Sequence, residues 1–99
     1  MLNDLLKSKI KSGARHFADM PEVVFFDELY DHTEELDDAE INDFRMDGVI
    51  EMWLEFEFRG QRFFVGNQFG DYWFLVENSD CPEEILLEVA GHFRKLIER

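Results

Sequence analysis

Hydrophobic and polar residues alternate strictly from Ile50 to Phe58, with Ile50, Met52, Leu54, Phe56 and Phe58 on one side and Glu51, Trp53, Glu55 and Glu57 on the other. A period of two predicts a strand with one buried face. Arg59-Gly60-Gln61 is a short turn that returns the chain into Arg62-Phe63-Phe64-Val65 as a hairpin. A second turn, Gly66 to Asp71, leads into Tyr72-Trp73-Phe74-Leu75-Val76-Glu77, completing a three-stranded antiparallel meander. The β-branched and aromatic run from Glu22 to Phe26 suits a fourth strand.

Helical periodicity flanks this block. Leu2, Leu5, Leu6, Ile10, Ala14 and Phe17 fall on one side of a 3.6-residue repeat, predicting an amphipathic helix from about Asn3 to Ala18 that ends at Met20-Pro21. Near the other terminus, Asn78 to Glu84 combines capping side chains, a proline suited to a first turn and acids suited to the positive helix end. Ile85, Leu86, Val89, Ala90, Phe93, Leu96 and Ile97 follow on one face, with Arg94, Lys95 and Arg99 in the last turns. Between Tyr30 and Gly48 the chain is thinly apolar; Thr33 can cap a short helix there, and a partly ordered loop is the alternative. The expected fold class is α+β: a single domain, 1–99, with a three- or four-stranded antiparallel sheet and an amphipathic helix at each end.

The second and third meander strands carry aromatics on both faces, which a sheet wetted on one side does not need. Two arrangements satisfy this pattern. Either the terminal helices cover opposite faces, or both cover one face and the other meets a second copy of the chain. The second is favoured, with Trp53, Phe64 and Trp73 as the face of a homodimer.

Composition sharpens the picture at a few points. Ninety-nine residues make one core, and eleven Phe with two Trp and two Tyr give it ample aromatic area. Cys81 stands alone, so no internal disulfide forms, and Lys7, Lys9, Lys11 and Arg15 interrupt what a secretory signal would need as an apolar stretch. No apolar run approaches the roughly 20 residues that span a bilayer. A cytoplasmic location is expected.

Charge is the most uneven property. Residues 1–17 carry four basic and one acidic side chain, residues 18–58 one basic and fifteen acidic, and residues 59–99 five basic and seven acidic, giving local charges of +3, −14 and −2 within a total of −13. Direct nucleic-acid binding, which needs Lys and Arg to neutralise phosphates, is not expected, and neither is binding to an anionic membrane. The acidic segment, with Asp31, Glu34, Glu35, Asp37, Asp38, Glu40, Asp43 and Asp47, fits a basic protein partner, and equally serves solubility.

Other chemistries find little to work with. An EF-hand loop counted from Asp43 meets Arg45 at the third position and Leu54 at the twelfth, so the calcium pattern fails. His16, His32, His92 and Cys81 are isolated in sequence, and no metal or cofactor is expected. Cys81 precedes a helix, but Asp80, Glu83 and Glu84 oppose a thiolate there. Glu51, Glu55 and Glu57 share one strand face, where pairing with Arg59 and Arg62 accounts for them without catalysis. The two glycines around Asn67, Gln68 and Phe69 read first as turn geometry and second as a ligand contact.

The leading expectation is a non-catalytic interaction protein of inhibitor, immunity or nucleic-acid-mimic type. In size and acidity the chain is similar to small immunity proteins and DNA-mimic inhibitors, a likeness of composition without a shared motif. The alternative is a small domain that binds a ligand between its sheet and its C-terminal helix.

Overall fold

The computed structural model describes residues 2, 4–48 and 50–98. The chain runs α1 (Asp4–Lys11), β1 (Arg15–Pro21), α2 (Phe26–Glu34), β2 (Glu40–Asp47), β3 (Glu51–Phe58), β4 (Gln61–Gln68), β5 (Asp71–Val76) and α3 (Glu83–Ile97). The strands form one antiparallel sheet in the order β1-β5-β4-β3-β2. The α+β class, the meander of β3, β4 and β5, and the terminal helices are as the pattern predicts; the sheet has five strands rather than three or four.

The extra strands lie at the two edges, where the sequence pattern is weakest. The expected N-terminal helix stops at Lys11 because Gly13, at φ 103°, turns the chain in a conformation that costs glycine little. Arg15–Pro21 then pairs with β5, and a bulge between His16 and Ala18 turns Phe17 toward the main core, where its ring meets Phe63 edge-on. Glu22–Phe25 is a connection rather than a strand. It is tied to the sheet by Glu22 N–H donating to Gly70 O and by the Tyr72 hydroxyl donating to Val24 O. Thr33 ends a helix instead of capping one, its hydroxyl donating to Leu29 O one turn back. The expected helix over the following residues is β2, which pairs with β3. Asn3, the expected start of the first helix, and Arg99 lie outside the described residues.

Both faces of the sheet are covered within the chain. On one face Met52, Leu54, Phe56, Phe58, Phe63, Val65, Tyr72, Phe74 and Val76 pack against Phe26 and Leu29 of α2 and Leu86, Val89, Phe93 and Leu96 of α3. On the other, Leu6 of α1 closes over Trp53, Phe64 and Leu75, with Leu2, Leu5, Ala14 and Trp73 around it. The terminal helices therefore take opposite faces. Trp53 and Phe64, expected at a homodimer face, are 1% and 0% exposed beneath α1, and Trp73 is half-buried with its indole stacked on His16 at 4.5 Å. An eight-residue helix does not hold itself together in water, so α1 exists because this apolar patch needs a lid.

Gly66 sets how closely that lid sits. It lies between Trp53 and Trp73 in the strand register, and a Cβ there would come within 2.9 Å of Leu6 Cγ. Lys9 adds its ammonium 4.6 Å from the centre of the Phe64 ring. Leu6→Ala is expected to cost about 2–4 kcal/mol in urea unfolding, the cost of an unfilled leucine cavity. Leu87→Ala, at a position 66% exposed on α3, should stay within about 0.5 kcal/mol of the parent in the same measurement.

Candidate interaction surface

The acidic segment folds into three consecutive pieces. Asp31 and Glu34 stand on the exposed side of α2; Glu35, Asp37 and Asp38 occupy the turn after it; Glu40, Asp43 and Asp47 belong to β2. Asp38 takes φ 68°, a left-handed conformation that aspartate tolerates better than most residues. Because β2 is an outer strand, the acids wrap around an open sheet edge instead of forming a flat row. Those of α2 lie on the side of the main core, where Tyr30 meets Phe44 of β2 at 4.9 Å.

Those of β2 lie on the opposite side. A bulge between Ile41 and Asp43 leaves Ile41, Phe44 and Met46 in register with Phe56, Leu54 and Met52, and Glu40, Asp43 and Asp47 in register with Glu57, Glu55 and Glu51. Three carboxylates of β2 thus face three of β3. Glu55 and Glu57, which the sequence leaves as a solvated strand face, belong to this surface; only the register of an edge strand brings the two sets together. Two guanidinium groups stand among the six acids, Arg45 at 2.8 Å from Asp43 and Arg62 at 3.3 Å from Glu57. Glu51 is 5% exposed and accepts the Leu2 N–H at 2.8 Å, which fastens the start of α1 to the sheet. Like charges placed opposite one another weaken a strand pair, so the fold tolerates this edge rather than using it.

At one end of the sheet apolar side chains lie beside these acids. The antiparallel order brings together the end of β1, the β4–β5 turn and the β2–β3 turn, where Val23, Phe69 and Ile50 are 64%, 85% and 75% exposed. Ile50 and Phe69 border a shallow depression of about 280 Å³, shared with Glu22, Glu51 and Gln68. Phe69 holds φ 55°, a conformation unfavourable for a bulky residue. Asn67, on the same depression, is internally satisfied: its carbonyl accepts from Met52 N–H at 2.9 Å and its amide donates to Ile50 O and Glu22 Oε1.

The remaining candidates separate. Between the sheet and α3, the place expected for a small ligand, Phe56, Phe63, Phe74, Val89 and Phe93 are at most 1% exposed and belong to one apolar cluster. The Cys81 thiol is buried, and burial, followed by the charge of Glu83, pushes its pKa up; Arg15 opposes this more weakly. Among the described residues no group of three or more His, Cys, Asp or Glu side chains is arranged to hold a metal, and no helix is long and apolar enough to cross a membrane. Two histidines far apart in sequence, His32 and His92, stack with ring centroids 3.9 Å apart. Nothing in their local sequence signals this contact.

No protein-family model, curated protein or solved structure matches this chain. The geometry alone defines its class: a small α+β domain with a five-stranded antiparallel sheet whose outer strand β2 carries carboxylates facing those of β3 and follows the acidic helix α2.

Two outcomes check this description. Glu40→Gln with Glu55→Gln removes one member of each of two facing acid pairs and should raise the free energy of unfolding by up to about 1 kcal/mol at low ionic strength, the gain shrinking with added salt. Cys81 should resist Ellman's reagent at pH 8 in the native protein and react once urea unfolds the chain.

Proposed function

We propose that this protein is a non-catalytic interaction protein that engages a basic protein partner through the open edge formed by α2 and β2. The observation that carries the reading is the set of facing carboxylate pairs, Glu40 with Glu57, Asp43 with Glu55 and Asp47 with Glu51, whose like charges Arg45 and Arg62 offset only in part. Natural sequences break local rules chiefly at functional sites, and a surface needed only for solubility gains nothing from placing acids directly opposite one another.

The chemistry of such an edge selects its partner. An outer strand offers unpaired N–H and C=O groups for an added strand, and carboxylates on both sides of it favour Lys and Arg on the incoming chain. They also repel a second copy of the same edge, as well as nucleic acids and anionic membranes. Exposed Ile50 and Phe69 at the end of the sheet supply apolar contact of the kind that anchors interfaces. Inhibitor, immunity and nucleic-acid-mimic proteins are the types of acidic interaction protein this reading covers.

The test is affinity capture from native lysate at low and at high salt, with captured proteins identified by mass spectrometry. A basic protein retained at low salt and released at high salt is expected, and Asp37→Asn/Asp38→Asn/Glu40→Gln should abolish its capture while leaving the urea midpoint near or above the parent's. Capture that survives both salt and the triple substitution would sink the reading.

A further inference from the structure

We propose that His32 and His92 form a proton-operated latch between α2 and α3, closed while one of the two rings is neutral and released when both are protonated. The rings stack with 19° between their planes, and the bonding is reciprocal: Nε2 of His32 donates to the main-chain oxygen of His92, and Nε2 of His92 to that of His32, each at 2.6 Å. A carbonyl oxygen only accepts, so both Nε2 atoms carry hydrogens. Nδ1 of His32 lies 3.2 Å from Glu35 Oε2. The closed arrangement is therefore complete with a neutral His92, whose Nδ1 needs no hydrogen. Protonation of both rings, with a proton taken from solvent at Nδ1 of His92, puts two cations face to face.

The surroundings resist that proton. Burial acts first to hold the His92 pKa below its ordinary 6.5, and the charges of His32 and Lys95 act in the same direction; the hydrogen bond to His32 O and the charge of Glu35 oppose them. Glu88, one turn earlier on α3, is paired with Arg59 at 3.1 Å. Phe93 closes the apolar side of the stack, edge-on to both rings at 5.8 and 5.4 Å. A base held neutral by the fold binds its proton more readily in the unfolded chain. Its share of stability is thus present in full above about pH 6.5 and is lost as pH falls from there through the lowered folded value.

Release acts on one end of α2. The start of the helix stays anchored by Phe26 and Leu29 in the core, whereas its last turn is held by Thr33 and the latch. His32 O accepts from Glu35 N–H as well as from the His92 ring, and Thr33 O accepts from Leu36 N–H, so these amides report on the closed state. The latch needs no partner, and its test stands apart from the acidic-edge reading.

The experiment is amide hydrogen exchange by NMR at pH 7.5 and pH 5.0, corrected for intrinsic rates, with the ring nitrogen shifts of both histidines followed over the same range. Protection of the Glu35 and Leu36 amides should fall several-fold at pH 5.0, with its midpoint matching protonation of His92 Nδ1, while β4 amides hold their protection. His92→Gln keeps an N–H donor without a titrating ring, and should remove most of the pH dependence. Equal protection at both pH values, or an equal fall in His92→Gln, would overturn the proposal. Should that variant not fold, titration of His92 in the parent with no change at Glu35 and Leu36 overturns it equally.

Discussion

The structure depends on one constraint: its sheet is apolar on both faces, and a short chain must cover both. Fifteen residues of α3 together with α2 suffice for the larger face. The smaller face is left to a helix of eight residues, too short to persist alone. That cover works because its target is small and concentrated. Leu6 sits over Trp53, Phe64 and Leu75, and the absent side chain at Gly66 lets it settle close to the sheet. Glu51 accepting the Leu2 N–H and Lys9 lying over Phe64 fix the helix by polar contacts at either end of the same patch.

From this arrangement follows the free edge. Once α1 covers the middle of one face and α2 with α3 the other, β2 remains at the margin, paired on one side only. Margins of sheets invite uncontrolled pairing, and charge is a common protection. Here the protection goes further than needed, since the acids of β2 face acids of β3 and those of α2 lie beyond the other side of the strand. An edge that repels its own kind would be selective in its pairing, and the proposed basic partner rests on that selectivity.

The latch residues and the acidic edge share α2, although different forces govern them. The edge acts at long range and is weakened by salt, while the stacked histidines act at contact distance and respond to protons. A helix whose outward side carries Asp31 and Glu34 and whose last turn is held by His32 joins the two.

Legibility from sequence varied with how local the signal was. Strict alternation from Ile50 to Phe58, the hairpin turn at Arg59-Gly60 and the seven apolar positions of α3 are short-range patterns, and each marks its element within a residue or two, although Ile50, expected on the buried face, precedes the strand and is exposed. The acids of the edge were legible as a run, and Cys81 as a thiol before a helix with acids opposing its ionisation. The edge strands were not. Arg15–Pro21 and Glu40–Asp47 have weak patterns of their own and become strands because β5 and β3 present them with unpaired backbone. The helix expected to reach Ala18 failed for the same reason, its later apolar residues Ala14 and Phe17 being needed on opposite faces of the sheet. The sequence by itself determined the class of fold, the central meander, the C-terminal helix and the sign of the surface. Which helix covers which face, that acids of β2 oppose acids of β3, and that two histidines sixty positions apart lie ring on ring were decided by tertiary structure alone, because register and layer order arise from contacts between segments that carry no trace of one another.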